Sequence, residues 1–345
     1  MPQATGLARP PLARRIASPI IARPTRRQSA VPAPGLTPGP GYDRPLRPAL
    51  HPKRSMASID ALLRPHVRDL GGGFTVRRVL PGVPRRTVGP FIFFDHMGPV
   101  RLPPGEGLDV RPHPHIGLAT VTWLFDGGIV HRDSLGYVQP IAPGDVNWMT
   151  AGRGIVHSER SAPESRTAGP ALHGLQTWVA LPRADEEMAP GFVHVPARDL
   201  PVLEPEGARI VVVAGGFLGA SSPTPTRSST LYASVTLEPG ARLTVPAEHE
   251  ERAIYPVDVA VDVDGVEVPP AHLAVLAPGV TATITAGPRA QLMLVGGAAL
   301  EGERHIWWNF VSSSRERIEQ AKADWREGRF AKVPGETEFI PLPDR

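Results

Sequence analysis

Cysteine is absent from this 345-residue chain. Disulfides, zinc–thiolate sites, iron–sulfur clusters and thiol nucleophiles are thereby excluded, and any metal must be held by His, Asp or Glu. Long apolar runs are also missing: no stretch reaches the ~18 consecutive apolar residues of a membrane span. Acid is nearly absent from the first 55 residues, where ten Lys and Arg face Asp43 alone, a net +9. The remainder carries 27 basic against 33 acidic residues, or −6. The basic excess therefore belongs to the N-terminal tail, and the body has little electrostatic basis for direct nucleic-acid binding. The tail has no uninterrupted apolar segment of the secretory type, so a cytoplasmic protein is expected.

What is abundant is Pro, at 42, and Gly, at 35. Helix interiors tolerate neither, whereas turns between strands use both. Twelve of the prolines lie in residues 1–57. That segment loosely resembles an organelle transit peptide in its Arg content, but its prolines oppose an amphipathic helix. It reads as a disordered leader, or as sequence upstream of a start at Met56.

The body begins at Ser58-Ile59-Asp60 and is expected to be all-β. Strands are expected over Phe74–Leu80, Phe91–His96, Gly117–Phe125, His131–Val138, Val146–Thr150 and Leu175–Leu181, separated by Gly and Pro turns. This spacing indicates a sandwich or small barrel. An internal echo points to two copies. APGDVNWMTAG, from Ala142, matches APGVTATITAG, from Ala277, at an offset of 135 residues. Near the C-terminus, Ser314–Arg329 places Ile318, Ala321 and Trp325 at helical spacing, with Ser312, Ser313 or Ser314 available as N-cap and Gly328 as a stop.

Within this framework His113 and His115 stand two residues apart, as do His157 and Glu159. Side chains at i and i+2 of a strand share a face. Two such pairs on neighbouring strands would aim three imidazoles and a carboxylate at one point, a donor set suited to a divalent transition metal. Pro114 has no N–H, which places its strand at an edge or just beginning. Glycines flank Arg153 and permit the bend that delivers His157 and Glu159. Carried by the offset of 135, the four positions become Glu248, Glu250, Leu292 and Leu294, so the second copy is expected to be metal-free with an apolar filling. His131 and Asp133 could orient ligands from behind. Asp95 or His96 could approach the site. Trp123, Trp148 and Phe93 fit core packing better than a pocket lining, and Arg153 a salt bridge better than an anion site. His173 reads as a surface residue, and Trp307 and Trp308 as packing between domains.

The runs RPHPHIGLATVTWLFDGGIVHRDSLG, PGDVNWMTAGRGIVHSER and GLQTWVAL, with the closing RHIWWNFVSSSRERIEQAKADWREGRF, resemble the pirin family of the cupin superfamily over Ser58 to Pro343. The resemblance implies a bicupin: two double-stranded β-helix barrels and a C-terminal helix that closes back. The corresponding divisions are a leader (1–57), a metal-binding barrel (58–190), a degenerate barrel (191–300) and a helix with tail (301–345). It also implies one divalent metal on His113, His115, His157 and Glu159, Fe²⁺ foremost, with Ni, Cu, Mn, Co or Zn as alternatives. The general cupin pattern has Glu four or five residues after the HxH pair. Here Ala119 and Thr120 stand there, which leaves the carboxylate to Glu159.

Three neutral imidazoles and one carboxylate would leave M²⁺ with a net charge near +1 and open positions. Such a centre suits an enolic hydroxyl and O₂. The resemblance implies a quercetin (flavonol) 2,3-dioxygenase, with Glu159 as general base. The alternative it implies is a non-enzymatic regulator that binds a protein partner according to iron valence.

Overall fold

The computed structural model describes residues 58–69 and 75–343. The leader, Met56 and Phe74 lie outside the described residues. The first barrel draws on β2 (His66–Asp69), β3 (Thr75–Leu80), β4 (Phe91–Arg101), β5 (Asp109–His115), β6 (Leu118–Gly127) and β7 (Ile129–Asp133). It continues through β8 (Val138–Ile141), β9 (Val146–Thr150), β10 (Ile155–Arg160), β11 (Ala171–Ala180) and β12 (Gly191–Val195). Seven of these form a large antiparallel sheet in the order β12-β9-β6-β11-β4-β3-β2, and four form a smaller one, β5-β10-β7-β8. The large sheet buries both faces, and β6 reads as a near-continuous apolar run accordingly.

The second barrel repeats the plan. Its strands begin with β13 (Val202–Leu203), β14 (Ala208–Phe217), β15 (Ala220–Ser221), β16 (Thr230–Leu237), β17 (Arg242–Val245) and β18 (Glu251–Pro256). They end with β19 (Val261–Val263), β20 (Val266–Val268), β21 (Leu273–Leu276), β22 (Ala282–Ala286) and β23 (Ala290–Gly297). A small sheet of order β17-β22-β19-β20 faces a large one of eight strands. The outermost member of that large sheet is β1 (Ile59–Leu63), which pairs antiparallel with β21. The first strand in sequence is thus built into the second barrel.

Two expectations are corrected. The return strand expected over His131–Val138 is two strands, β7 and β8. Asp133 Oδ1 accepts from the backbone N–H of Leu135 (2.9 Å) and Tyr137 (3.2 Å), and Gly136 sits at φ 93°, closing a hairpin turn. The echo also falls on non-equivalent strands. APGDVNWMTAG surrounds β9 of a large sheet, and APGVTATITAG surrounds β22 of a small one. Pro-Gly turns recur before successive strands, so the motif matched one strand out of step.

Cα pairing supplies the correct equivalence. In the first barrel His157 lies opposite His113 and Asp133, Glu159 opposite His131, and Ile155 opposite His115. In the second barrel Ile284 lies opposite Leu243 and Val263, Ala286 opposite Val261, and Ala282 opposite Val245. The six polar residues His113, His115, His131, Asp133, His157 and Glu159 thus correspond to Leu243, Val245, Val261, Val263, Ile284 and Ala286. All six replacements are buried in one apolar cluster. The apolar filling is present, through residues other than Leu292 and Leu294.

The barrels meet through their large sheets. Phe94, Trp123, Trp148 and Leu175 share one apolar cluster with Val213, Tyr232, Tyr255 and Met293. Ring pairs Phe91–Tyr232 (5.3 Å) and Phe94–Tyr255 (4.6 Å) cross between them. Trp123 and Trp148 therefore belong to this shared core. Trp148→Ala should lower unfolding stability by about 3–5 kcal/mol, read as a fall in urea midpoint with the slope unchanged.

The C-terminal segment returns to the first barrel. A hairpin of β24 (His305–Trp307) and β25 (Phe310–Ser312) leads into a helix, Arg315–Arg326. Ser314 caps the helix by accepting from Arg317 N–H at 3.2 Å. Ile318 and Ala321 pack with Ile116 and Phe310, and Trp325 Nε1 donates to Ile340 O at 3.0 Å. Trp307 and Trp308 flank this cluster. Among the described residues no helix is long and apolar enough to cross a membrane.

Candidate metal centre

Strand β5 is the edge of the small sheet, where the missing N–H of Pro114 costs no ladder bond. Its neighbour β10 follows a tight bend. Gly152 sits at φ 53°, and a Cβ there would lie 2.1 Å from Met188 O. The bend brings His157 opposite His113, and a bulge between His157 and Glu159 then shifts the register.

The result is a buried trio. His113, His115 and His157 offer donor nitrogens that all lie within 4.8 Å of one another. His115 Nε2 and His157 Nε2 are 3.1 Å apart. Two nitrogens bound cis at about 2.1 Å from one metal stand about 3 Å apart, so the spacing fits a shared cation. Burial pushes the His113 imidazole down to about 4, with Arg111 opposing and His131 reinforcing. His115 and His157 are held well below the usual histidine range, first by burial and then by neighbouring imidazoles. The trio is neutral at neutral pH, the form that ligates.

Hydrogen bonds fix which nitrogen faces inward. His113 Nδ1 donates to Arg111 O at 2.9 Å, leaving Nε2 as the lone-pair donor. Asp133 Oδ2 accepts from His131 Nε2 at 3.0 Å, so His131 Nδ1 accepts from His157 Nδ1 at 3.4 Å. His157 is thereby left with Nε2 towards His115. Asp133 and His131 thus orient the His157 ring from behind, through a fully buried carboxylate.

Glu159 lies in the same cavity wall as His113 and His115 but stands apart from the tight trio. Gln176 Nε2 donates to its Oε1 at 3.1 Å, and Thr122 Oγ1 donates to Gln176 Oε1 at 2.7 Å. Burial raises the Glu159 carboxyl above its ordinary range, against the pull of His131 and Gln176. A carboxylate so placed is a strong proton acceptor when ionised.

The cavity in front of the trio, about 1390 Å³, is also lined by Phe93, Asp95, Trp178 and Trp308. Phe93 stacks on Trp178 with ring centroids 3.9 Å apart, and Trp178 meets His115 edge-on at 5.2 Å. Asp95 faces this space, paired with Arg78. His96, also in the cavity lining, is bonded to Tyr255 (2.8 Å) and His173 (2.9 Å), and burial, Arg77 and His173 drive it down to about 2. Arg153 is exposed, and its carbonyl accepts from Arg317. Gln176, Thr122, Trp178 and Arg78 were not singled out in the sequence. The one signal for Gln176 was its amide, beside Thr177, in the otherwise apolar run GLQTWVAL.

Comparisons with known proteins agree with this architecture. The Pirin family model matches residues 73–179, and the Pirin C-terminal cupin domain matches 232–331. A Caulobacter vibrioides protein named Pirin-like protein is 50% identical over 292 residues, 83% of this chain and 100% of its own length. Human Pirin is 34% identical, over 75% of this chain and 89% of its own. The solved structure of quercetin 2,3-dioxygenase from Acinetobacter baumannii superposes with a TM-score of 0.77 at 34% identity, covering 83% of this chain and 96% of that one. A two-barrel β fold with a buried three-histidine group in its first barrel, matched by both family domains in order, places this chain in the pirin family of cupins.

Proposed function

We propose that the chain is a metal-dependent flavonol 2,3-dioxygenase, with Fe²⁺ as the resident metal. The observation that carries this reading is the neutral trio of His113, His115 and His157, of which His113 and His115 line, with Glu159, a cavity large enough for a polycyclic ligand. The likeness to the Acinetobacter baumannii quercetin 2,3-dioxygenase supports it.

The three imidazoles would hold the metal, with Nε2 of His113 and His157 directed by the bonds behind them. When bound, the metal supplies Lewis acidity towards the enol oxygen and an electron-exchange centre for O₂. Glu159 takes the proton of the flavonol 3-hydroxyl. Gln176 and Thr122 hold that carboxylate in place, so little reorganisation accompanies the transfer. Phe93 and Trp178 wall the cavity and keep water from the reacting enolate. The ring then opens with both atoms of O₂ retained in the ester product and one ring carbon lost as carbon monoxide.

The test is anaerobic loading with Fe²⁺ followed by quercetin and O₂. Loss of the flavonol absorbance band with one CO per flavonol is expected. Absence of turnover with Fe, Ni, Cu, Mn, Co and Zn alike would overturn the proposal.

A further inference from the structure

The inner face of the large sheet carries a polar row that the proposed reaction uses only at one end. Cα pairing sets Thr122, Gln176, Asp95 and Arg78 side by side on β6, β11, β4 and β3. Thr122 and Gln176 secure Glu159. At the other end Arg78 donates to both oxygens of Asp95, from Nε at 2.7 Å and from Nη2 at 2.8 Å. The guanidinium also lies over the Phe93 ring at 4.2 Å, and Phe93 stacks on Trp178 at an interplanar angle of 10°. A continuous run of contacts, edge-on at His115 and Trp178 and stacked at Trp178 and Phe93, therefore leads from His115 to Arg78.

Three consequences follow from elementary chemistry. The bidentate bond and the ring contact fix the guanidinium, so little side-chain freedom remains to be lost on binding. Asp95 balances its charge, so the cavity gains a directed donor without a net cation opposing the metal. Nη1 engages neither Asp95 oxygen and, among the described residues, makes no hydrogen bond, in a cavity that Arg78 and Glu159 share. Two strand spacings separate Arg78 from Gln176, about 10 Å, which is the scale of a fused aromatic ligand with a second ring.

We infer that Arg78 is a specificity-determining residue whose Nη1 binds a phenolic oxygen on the part of the substrate remote from the enol, so that the cavity selects polyhydroxylated flavonols. This rests on the flavonol reading of the site. Asp95, Phe93 and Trp178 are positioning residues for that donor. A hydrogen bond from a charged donor to such an oxygen corresponds to about 10- to 100-fold in affinity.

The experiment is anaerobic binding of quercetin and of 3-hydroxyflavone, which has the enol and no other hydroxyl, to the metal-loaded protein. Tryptophan fluorescence quenching gives each Kd without turnover. The wild-type protein should prefer quercetin by about 10- to 100-fold. Arg78→Met leaves Asp95 buried and unpaired, so Arg78→Met/Asp95→Asn is made beside it to keep the fold, checked by circular dichroism. In the double variant the quercetin Kd should rise by the same factor, while that of 3-hydroxyflavone moves much less. Equal weakening of both compounds, or an unaltered preference, would overturn the assignment and leave a structural ion pair. Failure of both compounds to bind the wild-type protein would instead overturn the flavonol reading, and Arg78's role with it.

Discussion

His157→Ala should reduce bound metal from about one equivalent to a trace and abolish flavonol turnover with it. His157 is the centre of the trio: its Nε2 is the nitrogen 3.1 Å from His115, and its tautomer is set through His131 and Asp133. Alanine removes one of three buried nitrogens from a site where Glu159 stands apart. Two imidazoles on an edge strand then remain to replace the hydration shell of a dication. Elemental analysis after dialysis reads the loss, and circular dichroism confirms that the barrel persists. A full equivalent of retained metal would move the centre away from these histidines.

Glu159→Gln should separate two roles of the carboxylate. The amide is isosteric and can keep its bond from Gln176 through its oxygen, so the local structure is preserved. It cannot accept the enol proton. Turnover should fall by about 10²- to 10⁴-fold, the range for losing a positioned general base, while metal content stays near that of the wild-type protein. Metal analysis and steady-state kinetics on the same preparation check both. Parallel loss of metal would make Glu159 a ligand and overturn its assignment as base.

The parts of this site legible in the sequence are those that strand periodicity alone places. HxH and His-x-Glu each put two donors on one face, and Pro114 marked the edge. The bulge between His157 and Glu159 depends on pairing with β5 and has no local signature. Thr122, Gln176, Asp95 and Arg78 lie far apart in sequence and become one row only through three strand registers. The duplication was visible but misaligned, because turn residues recur at every strand end whereas Leu243, Val245 and Ile284 carry no mark of what they replace. The contact of the His131–Asp133 pair with His157 was legible, since both project to the face that His157 shares.

The pairing of Ile59–Leu63 with Leu273–Leu276 has a bearing on biosynthesis. On the ribosome the earliest strand of the body emerges some two hundred residues before its partner. Until then its apolar residues Ile59, Ala61 and Leu63 have no sheet to join, and the first barrel is complete while this strand waits. Closure of the second barrel is therefore a late, long-range step in a slow topology. It ties the two halves so that neither could be excised at the linker between them and remain whole.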